Sequence, residues 1–369
     1  MTPLEELAHL LRPAGGGLYL VSTGRAEQLA LQRRLYGATT EEEVDARWKA
    51  ALARIPEARI VILGVPSDVG AGFQRGANLG PQAIRAALLE EHPGFPEEAA
   101  RRGIVDIGDV FVVPQLQHDE MLAEAQLTAS RRALYPHLDD AIRATLPVSP
   151  LSIAERALDL VFKLNPEARP VALGGDHSTA WPVVKALAGV HKEPWAIVQS
   201  DAHTDLLKER LGVKYCFATW SYHANDLVGR SGRLVQVGIR ATRFPREHWE
   251  ETLGVRQFWA EECRARPRES IEALIAHLKA AGVTRVYFSN DIDGTDATYA
   301  DATGTPEPAG LEPEFLVELI QRLGREFGLI GGDVMEVAPR LLPTPESGTR
   351  TVSLAVRYLR ETLSALSSR

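Results

Sequence analysis

WAIVQSDAHTD, residues 195–205, is the stretch from which the rest of the chain can be read. Trp195–Val198 is a short apolar run of strand character, and it breaks directly into Ser200-Asp201-Ala202-His203-Thr204-Asp205. If the extended conformation continues past Val198, alternate residues share a face, and Asp201, His203 and Asp205 stand in a row. Two other runs end the same way. Val171–Leu173 leads into Gly174-Gly175-Asp176-His177-Ser178, and Arg285–Phe288 leads into Ser289-Asn290-Asp291-Ile292-Asp293.

Further strand-like runs lie at Arg59–Leu63, Ile104–Ile107, Leu234–Val237 and Leu329–Ile330. Helical segments fall between many of them, at Pro81–Leu89, Ile153–Leu164, Glu269–Ala281 and Glu312–Phe327. Such alternation predicts an α/β fold: a mainly parallel sheet covered by helices on both faces. Parallel strands bring their carboxyl ends to one edge, where ligands bind in open α/β sheets. Residues 1–57 read differently. They are charged and helical, with Val44, Trp48, Leu52 and Ile55 at helical spacing. The expected division is a helical N-terminal extension over 1–57 and a catalytic domain over 58–369. Gly70, Gly72 and Gly76 do not form a dinucleotide-binding GxGxxG turn.

Composition narrows the class. The 369 residues carry a formal net charge of −8 with 45% hydrophobic residues, enough for a large core and without the basic footprint of a nucleic-acid binder. No apolar run approaches the roughly 18 residues that would span a bilayer. The start, MTPLEELAHLLRP, is not a secretory signal pattern. The two cysteines, Cys216 and Cys263, form no CxxC pair. The expectation is a cytoplasmic protein without nucleic-acid or membrane partners.

A single Asp-x-Asp is usually a solvated turn, and a single His a hydrogen-bonded residue. Here His177, Asp201, His203, Asp205, Asp291 and Asp293 all follow strands of one sheet. That is two imidazoles and four carboxylates, too many for one ordinary divalent site. Clustered acids repel unless a cation neutralises them, and two cations sharing carboxylates would do so. Nitrogen and oxygen donors without thiolate suit Mn, Ni, Co, Fe or Zn. Two such ions about 3.5–4 Å apart can share a water and lower its pKa toward neutrality.

The ordered motifs GGDHS (174–178), DAHTD (201–205) and SNDIDGTD (289–296) resemble those of the arginase, agmatinase and formiminoglutamase superfamily. So do GVPSD (64–68), RGANLGPQAIR (75–85), GTPEP (304–308) and GDVMEVAP (332–339), a likeness extending over about residues 59–365. The resemblance implies a three-layer αβα, arginase-like fold and two divalent ions, Ni or Mn. His177, Asp201, Asp205 and Asp291 would hold one ion. Asp201, His203, Asp291 and Asp293 would hold the other. Asp205 would carry a proton to the leaving nitrogen, and Glu336 would bind a guanidinium, whose planar donors match a carboxylate. It further implies urea release from a small cationic guanidino substrate, and a homo-oligomer, a hexamer or trimer.

One stretch departs from the superfamily. Where its members usually carry a His-Gly pair near the pocket mouth, this chain has Phe217 and Ala218, followed by Thr219 and Trp220. Nearby His223 is a possible substitute or a helix cap. Phe217 and Trp220 would narrow the space for a substrate tail, and aromatic faces attract guanidinium. With an N-terminal extension over the entrance, these features lead to free guanidine as the expected substrate. The alternatives are agmatine or a guanidino acid, formiminoglutamase-type hydrolysis with Lys208, Arg210 and Lys214 as a carboxylate clamp, and a non-catalytic metal-binding relic.

Overall fold

The structure, a computed structural model, describes residues 1–341 and 345–367; the last two residues of the expected domain, 368–369, lie outside them. Among these residues is one nine-stranded sheet. Its strands are β1 (Leu11–Arg12), β2 (Ile60–Val65), β3 (Ile104–Val110), β4 (Arg169–Gly174), β5 (Trp195–Ser200), β6 (Leu234–Ile239), β7 (Arg256–Trp259), β8 (Arg285–Asn290) and β9 (Leu329–Val334). The spatial order is β1-β3-β2-β4-β9-β8-β5-β6-β7. All neighbours pair in parallel except β1, which runs antiparallel to β3.

The sheet separates two apolar cores, as its alternating side chains require. On β2, Val61, Leu63 and Val65 join one core, while Ile60 and Ile62 join the other. On β5, Trp195 and Ile197 face the first, and Ala196 and Val198 the second. The first core is covered by the helices 150–164, 181–190 and 220–228, the second by 80–91, 267–280, 313–326 and 345–367. The three-layer αβα expectation holds, and the expected strands and helices are present with ends shifted by a few residues.

Two strands were not legible. The four-residue β7 reads RQFW, half polar, and β1 has only two residues. The latter lies inside the N-terminal segment, which contains helices at 3–10, 25–36 and 41–52. This segment packs into the sheet edge. Leu7, Leu10, Trp48, Leu52 and Ile55 are buried in the first core, and the Trp48 indole N–H donates to Ile107 O at 2.9 Å. Asn165 Nδ2 donates to Ile55 O and Ala58 O at 2.9 and 2.7 Å. Asp109 Oδ2 accepts from Gly15 N at 2.7 Å, and Asp109 Oδ1 pairs with buried Arg85 at 2.5 Å.

Four central neighbours, β4, β9, β8 and β5, each run into a motif singled out above. The order of connections reverses within this group, which makes it the topological switch point of the sheet. No helix among the described residues is long and apolar enough to cross a membrane.

Candidate metal centre

Each ligand-bearing loop is shaped by its own side chains. After β4, Asp176 accepts from Ser178 N and from Gly70 N, both at 2.9 Å, and starts the 3₁₀ turn 177–180 that presents His177. A Cβ on Gly175 would collide with the Ser67 carbonyl, so only glycine lets the two loops meet. After β5, Asp201 Oδ1 accepts from His203 N at 2.6 Å, which coils the chain at once. After β8, Asp291 Oδ1 accepts from Asp293 N at 2.9 Å and caps the 3₁₀ turn 292–294.

The row expected from strand alternation therefore does not form. β5 ends at Ser200, and Asp205 adopts φ 51°, a left-handed conformation rare for a non-glycine residue. These local hydrogen bonds turn the carboxylates inward and bring the ligands together by coiling rather than by extension.

The convergence is tight. His177 Nδ1 lies 3.1 Å from Asp201 Oδ2, 3.4 Å from Asp205 Oδ2 and 3.0 Å from Asp291 Oδ2. His203 Nδ1 lies 3.1 Å from Asp293 Oδ2 and 3.6 Å from Asp201 Oδ1. Two ligand groups result, His177–Asp201–Asp205 and Asp201–His203–Asp293, with Asp201 common to both and Asp291 against the first. All six residues are buried except His203, which is partly exposed.

This donor set fits two cations. His177 Nδ1 is fully buried and makes no hydrogen bond, although three carboxylate oxygens surround it. A buried nitrogen aimed into a nest of oxygens without a hydrogen bond is what a metal ligand looks like. Its other nitrogen, Nε2, meets Ser289 Oγ at 3.0 Å, and Ser289 Oγ donates to Asp333 Oδ2 at 2.8 Å. A carboxylate behind a ligating histidine sets the ring's orientation and basicity. Asp333 also takes bonds from Tyr287 Oη at 2.5 Å and Asn290 N at 2.8 Å. His203 Nε2 has a carboxylate nearby too, with Glu307 Oε1 at 3.7 Å.

The charges are strongly perturbed. Burial, then the charges of Asp201 and Asp291, push the Asp205 carboxyl well above the usual range. Burial, then Asp293 and Asp201, do the same to Asp291. For Asp201 burial acts upward, but His177 and His203 outweigh it and hold the group below the usual range. Burial opposes the His203 imidazolium, yet Asp293 and Asp201 push it up to about 12. A cluster in which the imidazoles and two of the carboxyls, Asp205 and Asp291, are drawn to hold protons is one that cations would relieve.

Glu336 follows β9 with φ 62°. Its Oε1 accepts from His177 N at 2.8 Å, and its own N–H donates to Gly175 O at 2.9 Å. Burial, then Asp291 and Asp176, raise its carboxyl well above the usual range. Of the aromatic residues expected at the pocket, Trp220 forms an inner wall. Its indole N–H donates to Asp205 Oδ2 at 3.0 Å, and its ring lies 4.5 Å from that of His177. Phe217 lies further out beside Gly72, with the Arg210 guanidinium 4.8 Å above its ring.

Thr219 and His223 are placed elsewhere. The Thr219 hydroxyl donates to Lys214 O at 2.7 Å and accepts from Cys216 N at 2.9 Å, closing a turn. His223 meets Lys214 O at 3.2 Å and packs against Trp181, Tyr215 and Tyr222. Sequence reasoning missed Ser289, Asp333 and Glu307 behind the two histidines, although all three stand inside quoted motifs.

A sheet that gathers paired histidines and carboxylates at the ends of four neighbouring strands is the framework of a metal-dependent hydrolase. Comparison with known proteins defines which one: the arginase family model matches residues 58–364, and the chain belongs to that family, hydrolases that cut amidino C–N bonds with divalent metal ions. It is 31% identical to the guanidinobutyrase of Pseudomonas aeruginosa over 75% of this chain and 78% of that protein. It is 33% identical to an N(1)-aminopropylagmatine ureohydrolase of Thermus thermophilus, covering 77% and 84%. Among solved structures, proclavaminate amidino hydrolase from Streptomyces clavuligerus superposes with a TM-score of 0.65 at 28% identity, covering 84% of this chain and 92% of that one.

Proposed function

We propose that this ureohydrolase binds two divalent cations, manganese or nickel, and hydrolyses a guanidino compound bearing a short anionic tail, releasing urea and an amine. The observation that carries the metal reading is the convergence on His177 Nδ1 of three carboxylate oxygens within 3.4 Å, with no hydrogen bond made to it. When bound, the cations supply an activated water and charge stabilisation for the tetrahedral intermediate.

The chain's own residues do the rest. Glu336 keeps one oxygen on the His177 amide, and the other is free for the planar guanidinium. Asp205 is the proton carrier. Trp220 fixes its Oδ2, and the left-handed backbone turns its side chain toward His177. A general acid placed this way contributes about 10²–10⁴-fold.

Free guanidine, expected from Phe217 and Trp220, has less support than a tailed substrate. Trp220 is engaged with Asp205, and the outer aromatic face at Phe217 already carries the chain's own guanidinium, Arg210. That arrangement leaves a cation at the mouth to meet a carboxylate tail, and one of the relatives is a guanidinobutyrase.

Urea release tests this directly. Purified protein is loaded separately with Mn²⁺ and Ni²⁺ and offered guanidinobutyrate, agmatine, arginine, guanidine and formiminoglutamate. Preferred turnover of the guanidino acid is expected. Guanidine as the sole substrate would refute the tailed reading, and no urea from any guanidino compound would refute the activity.

A further inference from the structure

Asp201 is held from behind by a line of buried amides that crosses the sheet. Gln199, Gln236 and Gln257 occupy paired positions on β5, β6 and β7, and all three are fully buried. Their side chains join end to end. Trp259 Nε1 donates to Gln257 Oε1 at 3.0 Å, and Gln257 Nε2 to Gln236 Oε1 at 2.9 Å. Gln236 Nε2 donates to Gln199 Oε1 at 2.8 Å, and Gln199 Nε2 to Asp201 Oδ2 at 2.7 Å. Side branches tighten the line: Ser221 Oγ donates to Gln199 Oε1, and Gln236 Nε2 to Thr204 O inside the DAHTD loop, both at 2.6 Å.

The direction of this line is determined at both ends. An indole N–H can only donate, and an ionised carboxylate can only accept. Each amide between them must therefore present its oxygen toward Trp259 and its N–H toward Asp201. Dipoles aligned head to tail polarise one another, so the last donor is stronger than an isolated amide. The oxygen it reaches, Asp201 Oδ2, is the one 3.1 Å from His177 Nδ1. Sheet stability alone does not call for this, because apolar residues of the same size would fill the space without the desolvation of three amides.

We propose that Trp259, Gln257, Gln236 and Gln199 are positioning residues for the metal centre. They fix the carboxylate plane of Asp201 and draw its charge toward one preset orientation, extending the support of the site to edge strand β7. They act through Asp201 and touch no substrate. The inference rests on reading the His/Asp cluster as a metal centre.

The test is calorimetric titration of Mn²⁺ into the metal-free full-length protein, with the melting temperature of each metal-free variant measured alongside. Gln199→Leu is expected to weaken Mn²⁺ binding about 10–100-fold, the usual loss for a partner directly behind a ligand. Trp259→Phe removes only the far donor; it leaves the buried Gln257 Oε1 short of a partner, so the melting temperature is expected to fall, and Mn²⁺ binding to weaken several-fold as well. Gln257→Met keeps a side chain of similar length but offers neither a donor to Gln236 nor an acceptor to Trp259, so the line is cut and binding is expected to fall. If Gln199→Leu does not fold, the other two variants carry the test. Parental Mn²⁺ affinity in Trp259→Phe and Gln257→Met, with only the melting temperature lowered, would reduce the line to packing and overturn the proposal. Absence of binding by the parent itself, to Mn²⁺ and to Ni²⁺ in a parallel titration, would instead refute the metal reading on which it stands.

Discussion

Replacing Trp220 by Phe isolates one bond of the site. The side chain is buried, its indole N–H donates to Asp205 Oδ2 at 3.0 Å, and its ring lies 4.5 Å from that of His177, tilted by 32°. Phenylalanine keeps an aromatic ring beside His177 and deletes the donor. A hydrogen bond to an ionised group is worth about 1.5–3 kcal/mol, which converts to roughly a 10- to 150-fold effect on rate if Asp205 must be held for proton transfer. The loss should fall on kcat, with KM little changed, because the bond orients a proton carrier and does not bind the substrate. The assay is steady-state urea release at saturating metal, with bound metal counted in the same samples. A metal-replete Trp220→Phe enzyme whose kcat stays within about twofold of the parent would refute the argument that the indole sets Asp205 for its task.

Other changes separate the remaining parts. His203→Ala removes a nitrogen from the second ligand group, so metal content measured by mass spectrometry should drop from two ions to one per chain while His177 still holds the first. Glu336→Gln preserves an oxygen for the His177 amide but loses the charge offered to a guanidinium, so kcat/KM should fall by about 10- to 150-fold with metal content unchanged. Asp109→Ala leaves buried Arg85 short of one partner and strips the Gly15 N–H of its acceptor; chemical denaturation should show a loss of about 3–5 kcal/mol. Arg210→Ala frees the Phe217 face and should raise KM for a guanidino acid more than for agmatine, measured in paired kinetics.

Much of this architecture is legible because strand and ligand are written side by side. The apolar run 195–198 and the cluster 201–205 are contiguous, so locating the strand also locates its ligands. The rest depends on which strands become neighbours. Gln199, Gln236 and Gln257 each interrupt a strand segment, in VQS, VQV and RQF. Each alone is a polar residue of no evident purpose. Only the order β5-β6-β7 and its register make them a line. Ser289 and Asp333 are likewise united by the pairing of β8 with β9. His223 misleads for the converse reason, since closeness in sequence to the missing His-Gly pair leaves its ring in contact with Trp181 and Tyr215.

Asp205 and Glu336, the two residues assigned to the chemistry, both adopt positive φ, at 51° and 62°, and neither is glycine. Such conformations cost about 1–3 kcal/mol each and persist only where the surroundings over-determine them. Both are so held. Tyr222 N donates to Asp205 O at 3.3 Å while Trp220 grips its carboxylate at 3.0 Å; Glu336 N and Oε1 are engaged at Gly175 O and His177 N, at 2.9 and 2.8 Å. In each case one bond fixes the backbone and another fixes the side chain. A relaxed extended backbone would carry each carboxylate along its strand direction and away from His177. The ligands His177 and Asp201 show no such backbone outlier, because strand ends and capped turns already deliver them. The strained backbones in this site therefore belong to Asp205 and Glu336, the two residues proposed to handle the proton and the guanidinium, while the other residues of the His/Asp cluster show no positive φ.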